Sequence, residues 1–332
     1  MKAIALISGG LDSILAARVI KGQGIDVQGV HFRTPFCLRD KDKGMADLAR
    51  RLAEEAGIPL RVVDLKEEFL EIVRHPRHGY GSNINPCIDC RVLMLRLAKR
   101  IMEEEGASFL VSGEVVAQRD MSQHRPVMSR VEREAEVEGI ILRPLSAKLL
   151  AETVPEKNGW VDRQKLFAFN GRSRRPQIDL AVMLGMLDFP NAAGGCLLTD
   201  PRFTERAKDL MKHGTFDMDN VELLRVGRHF RLSDDAKLVV GRNAEENDRI
   251  EALAREGDLL VLPPGDVSGP SALIRGIFSG ELVSLALSIA CRYSDRGERN
   301  SLAMMARKLP EKEWRVIEAA PIDDAAADKL HI

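Results

Sequence analysis

Two groups of residues in this chain have types and spacings that could do chemistry. The first is Ser8-Gly9-Gly10-Leu11-Asp12-Ser13, which follows the apolar run Ala3 to Ile7 and precedes the helix-like stretch Ile14 to Lys21. A strand, a glycine turn and a helix start in that order make an anion site, because backbone N–H groups and the helix dipole converge on one spot. Glycines keep Cβ atoms out of the way of a phosphate, and Ser8 and Ser13 add hydroxyl donors. The loop lacks the lysine of a Gly-x-x-x-x-Gly-Lys-Ser/Thr loop and carries Asp12 in its place. A Mg²⁺ ion between Asp12 and a polyphosphate reconciles the two negative groups.

The second group is thiol-based. Asn85-Pro86-Cys87-Ile88-Asp89-Cys90-Arg91 places two cysteines three residues apart where a long helix begins. Residues i and i+3 share a helix face, and a helix N-terminus is expected to lower both thiol pKa values. Cys196, in Gly194-Gly195-Cys196, adds a third thiol from far along the chain. Three thiols can hold a [4Fe–4S] cluster by three irons and leave the fourth open, and this reading uses the whole set. Zinc would want a fourth protein ligand, and no His flanks these cysteines at the usual short spacings. The alternative is a persulfide on Cys87 or Cys90 and Cys196, resolved as a disulfide. Cys37 and Cys291 lie in apolar surroundings and are expected to be inert core thiols.

The elements that must position these groups follow from pattern. Strands are expected over residues 2–7, 26–32, 60–64, 109–112 and 139–143, and helices over 11–21, 43–56, 88–105 and 147–154. Alternation of this kind predicts an α/β domain, a parallel sheet with helices on both faces. Its ligands gather at the carboxyl ends of the strands, where Ser8, His31, Gly113 and Pro144 would meet. His31, Phe32 and Arg33 at the end of the second strand are expected to receive an adenosine. Residues 161–186 read as broken helix, with Arg172 to Arg175 stopped by Pro176. The pattern dissolves into turn residues over 189–195, and Asp200-Pro201 caps a helix reaching Met211. Beyond it, 222–232, 238–241 and 259–262 read as strands and 244–255 as a helix, a smaller α+β domain with its boundary near residue 215.

At 332 residues and 45% hydrophobic, the chain has material for two domains and a substantial core. Forty-nine basic and 50 acidic residues give a net charge of −1, which excludes a global field for nucleic acid and leaves only local RNA contacts. Neither an apolar stretch of about 18 residues nor a signal-peptide pattern precedes or follows Ser8, so a cytoplasmic protein without a membrane contact is expected. Five cysteines, an odd number, fit metal or catalytic thiols in a reducing compartment better than a disulfide framework.

The Ser8 to Ser13 loop resembles the PP-loop of the ATP pyrophosphatases, a resemblance that implies a PP-loop/HUP-like fold and cleavage of ATP between its α and β phosphates, with AMP passing to a substrate oxygen. Together with Cys90 to Arg96, Gly113-Glu114, Gln118 and Ile141-Leu142-Arg143-Pro144-Leu145, it resembles the catalytic domain of tRNA 4-thiouridine synthases over about residues 1–200. That resemblance implies roles for Gly113, Glu114 and Gln118 in shaping the nucleotide and substrate site. A second family Gln would fall at Ser122, whereas this chain has Gln123.

Val240 to Asp248 and Gly265 to Ser271 resemble the NFACT RNA-binding domain, although Val261-Leu262-Pro263 replaces the usual aromatic and His. Arg225, Arg228, Arg231, Arg242 and Arg275 are candidates for phosphate contacts there. The expected organisation is a PP-loop domain over 1–200, a connecting helix or linker over 201–216, an NFACT RNA-binding-like domain over 217–300 and a C-terminal tail over 301–332. With the loop opening at Ser8, the C-terminal module is expected to take over RNA docking.

The expected catalytic residues are Asp12, Cys87, Cys90 and Cys196. The expected nucleotide site comprises Ser8, Gly9, Gly10, Asp12, Ser13, His31, Phe32, Gly113, Glu114 and Gln118. ATP, Mg²⁺ and a [4Fe–4S] cluster are the implied cofactors, with Asp12 on magnesium and Cys87, Cys90 and Cys196 on iron. Partners are tRNA and sulfide or a persulfide-carrying sulfur donor, and a homo-oligomer is compatible with the sequence. The expected activity is tRNA thiolation, most simply to 4-thiouridine. Its alternatives are 2-thiolation of uridine or cytidine and an RNA-binding protein with a relic loop.

Overall fold

A computed structural model describes residues 1–37, 44–119, 122–186 and 195–332. The chain divides into two compact units, Met1–Thr199 and Asp200–Ile332. In the first, β1 (Lys2–Leu6), α1 (Leu11–Lys21), β2 (Asp26–Arg33), α2 (Gly44–Glu55) and β3 (Leu60–Asp64) alternate strictly. Next come α3 (Glu67–Arg74), α4 (Cys87–Glu104), β4 (Phe109–Ser112), α5 (Arg125–Glu134), β5 (Ile141–Leu142), α6 (Val154–Lys157) and α7 (Arg175–Met183). The five strands form one parallel sheet in the order β3-β2-β1-β4-β5.

The sequence of β1 explains its central place. Ala3, Ala5 and Ile7 point into the apolar cluster shared with α1 and α2, while Ile4 points into the opposite cluster with α4 and α5 residues such as Leu95 and Val131. A strand that must be apolar on both faces reads as a continuous run, and it belongs in the middle of a covered parallel sheet. Chain order reverses at β1, since β2 and β4 flank it. The crevice beyond the ends of β1 and β4 is therefore the switch point where ligands of such sheets bind.

Several expected elements are corrected. Residues 147–154 are not one helix: a single turn over Ala147–Leu149 ends at extended Leu150, and a Thr153–Glu156 capping box starts α6 afresh. Pro176 opens α7 instead of stopping the basic cluster, since proline fits a first turn whose N–H groups have no helical partner. α3 and α5 were not foreseen; α3 buries Phe69, Leu70 and Val73, a short stripe inside a charged segment. The turn expected over 189–195 lies outside the described residues except for Gly195.

The second unit contains α8 (Pro201–Lys212), α9 (Met218–Leu223), β6 (Arg228–Ser233), β7 (Ala236–Val240), α10 (Ala244–Ala252) and β8 (Leu259–Leu262). It continues with β9 (Ala272–Gly276), α11 (Gly280–Arg292), β10 (Leu302–Lys308), β11 (Arg315–Ala319) and α12 (Asp324–Leu330). Its six strands form an antiparallel sheet in the order β11-β10-β8-β9-β7-β6. The Asp200 carboxylate accepts from Phe203 N–H at 2.8 Å and caps α8, as the sequence predicts.

Three expectations fail here. Residues 222–232 are not one strand, because Asp217 caps α9 through Asn220 N–H and Gly227, at φ +74°, turns the chain before β6. The boundary does not fall near residue 215: the connecting helix expected over 201–216 is α8, which buries Phe203, Ala207 and Leu210 in a second unit that begins at Asp200. Residues 301–332 are not a tail either. β10 joins β8 and β11 with Leu302, Met304 and Ala306 buried, and α12, capped by Asp323, buries Ala327. Acidic, alanine-rich composition here marks a capped helix with one packed face.

Candidate active site

A cavity of about 680 Å³ opens at the switch point, within the first unit. Ser8, Gly10, Asp12 and Ser13 line it from the loop between β1 and α1, and His31 and Phe32 from the end of β2. Cys87 and Cys90 enter from the start of α4, Gly113, Glu114 and Gln118 from the segment after β4, and Cys196 from the end of the unit. Gly9 does not line the cavity. At φ +79° it turns toward α2, where a Cβ would sit 2.8 Å from the Met45 side chain, so its role is to shape the turn.

The loop is held by its own serines. Ser13 Oγ donates to the Gly10 carbonyl at 2.7 Å and accepts from Ser8 N–H at 3.1 Å, and Ser8 Oγ accepts from Gly10 N–H at 3.3 Å. These bonds fix a preformed bend. Gly113 closes on it from β4: a Cβ there would lie 2.5 Å from the Asp12 carbonyl carbon and oxygen and from Ser13 Cα. Only glycine permits this backbone approach. His31 is buried, and its Nδ1 lies 2.7 Å from the Ile7 carbonyl, which ties the end of β2 to the end of β1.

The two carboxylate oxygens of Asp12 differ. Its Oδ2 accepts from Gln118 Nε2 at 2.8 Å, whereas buried Oδ1 has no hydrogen-bond partner among the described residues. A buried carboxylate oxygen without a donor calls for a ligand, and a hard divalent cation such as Mg²⁺ suits it. Gln118 is positioned in turn by Gln177, which is fully buried and meets its Oε1 at 3.2 Å. Sequence reasoning missed Gln177; a glutamine inside an apolar helix face was the available signal.

Glu114 has a different environment from a ligand-facing carboxylate. Its Oε1 accepts from Arg91, and its Oε2 accepts from Arg143 Nε at 2.9 Å and Ser112 Oγ at 3.3 Å. Burial alone would raise its pKa, but the two guanidinium groups outweigh burial and hold the carboxyl at about 2. Arg143, itself buried, also pairs with Glu132. The cluster clamps the start of α4 to the end of β4 and the β5 edge, and so sets where Cys90 stands.

The thiols correct one expectation. A helix N-terminus does not depress Cys87 and Cys90: burial pushes Cys87 up, with Arg119 and Arg91 opposing, and pushes Cys90 up to about 12. Cys196 is likewise raised by burial to about 12. Desolvation of a thiolate outweighs the partial charge of a helix end. Cys90 and Cys196 are further raised by charges on other thiols: Cys196 and Cys87 act on Cys90, and Cys87 and Cys37 on Cys196. The thiols therefore share one neighbourhood. Cys37 is not the inert core thiol expected, since it is half-buried, lines the cavity and pairs with Cys196 in a β-bridge. Its partner lies about 160 residues away, which no spacing reveals. Cys291, in the second unit, is buried as expected.

Among the described residues no three His, Cys, Asp or Glu side chains surround a single metal ion. Cys87, Cys90 and Cys196 are the residues that could hold an iron–sulfur cluster, which receives each cysteine on a separate iron. Arg119, Arg172 and Arg174 also line the cavity, which gives the basic run after residue 171 a place at the site.

Residues 1–148 match the family model described as thiamine biosynthesis protein (ThiI), and residues 227–330 match the NFACT protein RNA binding domain. Over 125 residues the chain is 36% identical to the tRNA-specific 2-thiouridylase MnmA of Syntrophotalea carbinolica, covering 33% of this chain and 33% of that protein. Over 122 residues it is 31% identical to a probable tRNA sulfurtransferase of Staphylococcus aureus, covering 35% of this chain and 28% of that protein. A solved 4-thiouridine synthetase–RNA complex with bound ATP is similar at 27% identity and a TM-score of 0.35, over 43% of this chain and 36% of that one. The chain spans about a third of the length of the curated relatives it matches.

In the second unit the expected phosphate-binding arginines are largely spent. Arg275 is buried and paired with Asp258 at 2.7 Å, Arg231 pairs with Asp209, and Arg242 pairs with Glu246. Arg228 lies over the Tyr293 ring at 4.4 Å. A count of arginines does not separate those that brace a sheet from those that face solvent. Among the described residues no helix is long and apolar enough to cross a membrane.

Proposed function

We propose that this protein is an ATP-dependent tRNA sulfurtransferase that adenylates a uridine carbonyl oxygen and replaces that oxygen with sulfur, giving 4-thiouridine. One observation carries the reading. The Ser8 to Ser13 loop and the thiols of Cys87, Cys90 and Cys196 face the same cavity. A uridine carbonyl oxygen is a poor leaving group, so its exchange for sulfur needs activation, and a site with an anion loop beside thiols offers both halves.

Ser8, Gly10 and Ser13 bind the β and γ phosphates through backbone N–H and hydroxyl groups, with the α1 dipole favouring the negative charge. Asp12 would hold a Mg²⁺ ion, which would supply charge neutralisation for the pyrophosphate, and Gln118 orients the carboxylate. His31 and Phe32 receive the adenosine at the end of β2. The Arg91–Glu114–Arg143 cluster holds α4, so that Cys87 and Cys90 face the nucleotide. When bound by Cys87, Cys90 and Cys196, a [4Fe–4S] cluster supplies an open coordination position for incoming sulfur. The second unit docks tRNA, and the target base is splayed into the cavity. Sulfide or a persulfide-carrying protein supplies the sulfur, and the reaction takes place in the cytoplasm.

The match to a 2-thiouridylase supports a second reading, in which the same site thiolates the 2-position. Mass analysis of tRNA nucleosides from a strain lacking the gene decides between them. Loss of 4-thiouridine is expected, loss of a 2-thiolated base assigns the second reading, and an unchanged profile overturns both.

A further inference from the structure

We propose that Cys37 and Cys196 form a reversible disulfide that withdraws Cys196 from the thiols of the cavity. The two residues face each other as an antiparallel bridge pair. Leu197 N–H donates to the Phe36 carbonyl at 2.8 Å, so this bond flanks the pair and does not join it. That pattern defines the non-hydrogen-bonded kind of antiparallel pair, in which Cα atoms stand about 4.5 Å apart and side chains are at their closest. A disulfide spans Cα separations of about 4.4–6.8 Å. The backbone already holds the two cysteines within that span.

Reactivity needs proximity of the sulfurs and access for an oxidant. The bridge pairing supplies the proximity. Both residues are half-buried and line the cavity of about 680 Å³.

The oxidant is a low-molecular-weight disulfide of the glutathione class. One cysteine sulfur gives up its proton and attacks the S–S bond of that disulfide, and one glutathione leaves as a thiolate and takes up a proton. The second cysteine then displaces the other glutathione from the mixed disulfide in the same way. One S–S bond has formed in the protein and one has broken in the reagent: two protein thiols are oxidised and one glutathione disulfide is reduced to two thiols. An excess of reduced glutathione runs the sequence backward. The consequence for sulfur delivery rests on the thiolation reading, because only there does removing Cys196 leave Cys87 and Cys90 as an incomplete set.

The test uses the metal-free protein titrated with mixtures of oxidised and reduced glutathione, quenched in acid, denatured, alkylated, digested without reductant and mapped by mass spectrometry. A Cys37–Cys196 linked peptide is expected, lost on reduction and unaffected by Cys291→Ser. Cys196 linked to Cys87 or Cys90, or Cys37 and Cys196 both alkylated at every ratio, overturns the proposal. The mapping needs neither tRNA nor ATP, so it stands or falls apart from the nucleoside profile that tests the thiolation reading.

Discussion

Glu114→Gln removes one negative charge from between two guanidinium groups and leaves the shape of the side chain intact. The carboxyl's descent from its ordinary 4.5 to about 2 measures how much more strongly the folded protein holds the ionised form than the unfolded chain does. That difference corresponds to roughly 3 kcal/mol of stability at neutral pH. An independent route gives a similar size, since breaking a buried ion pair from one side costs about 3–5 kcal/mol. The lower end applies, because Arg143 keeps Glu132 as a second partner.

The assay is urea unfolding at pH 7, followed by Trp160 fluorescence in a Trp314→Phe background so that only the first unit is read. The pH arm has a definite sign. The folded pKa is depressed, so the stabilisation is complete above about 4.5 and drains away as pH falls toward about 2, where the folded carboxyl finally takes its proton. The parent should therefore lose this contribution across that window, while the variant, having lost it already, should show a correspondingly shallower fall. A variant within about 1 kcal/mol of the parent at pH 7, or an equally steep acid limb, would refute the clamp.

Gly113→Ala puts a Cβ against the backbone of Asp12 and Ser13, which cannot step aside as a side chain could; a loss of about 1–3 kcal/mol is expected. Weakened ATP binding by calorimetry should accompany it, whereas Gly265→Ala, with open space around it, should be neutral. Cys90 and Cys196, pushed up to about 12, should be alkylated slowly. Roughly one molecule in ten thousand carries either thiolate at pH 8, so timed alkylation with mass spectrometry should find them far slower than a small-molecule thiol. Equal rates would contradict their burial. Arg275→Met should cost the second unit about 3–5 kcal/mol, read by Trp314 fluorescence, because Asp258 is left buried and unpaired. The salt dependence of tRNA affinity should not change; a slope lower by about 0.9 would instead make Arg275 a phosphate contact.

Local order was legible in the sequence wherever a single segment carries its own signal. The run Ala3 to Ile7, the glycine turn and the following helix announced both the parallel sheet and the anion loop, because strand, loop and helix start are contiguous. Asp200 announced α8 in the same way, through a cap that reaches only three residues. Signals failed where neighbours along the chain point one way and packing decides another. The acidic alanine-rich end reads as solvated, yet one face of α12 packs. The tail expected over 301–332 supplies two strands of a sheet whose other members begin near residue 228.

The thiols divide along the same line. Sequence determined that Cys87 and Cys90 share a helix face, since three residues fix that geometry. The tertiary fold decided the rest: that Cys37 stands opposite Cys196, that burial outweighs the helix end on thiol acidity, and that Glu114 braces two arginines. Each of these depends on what surrounds a group in space, on desolvation and on charges from distant segments, and those quantities do not exist until the chain has closed on itself.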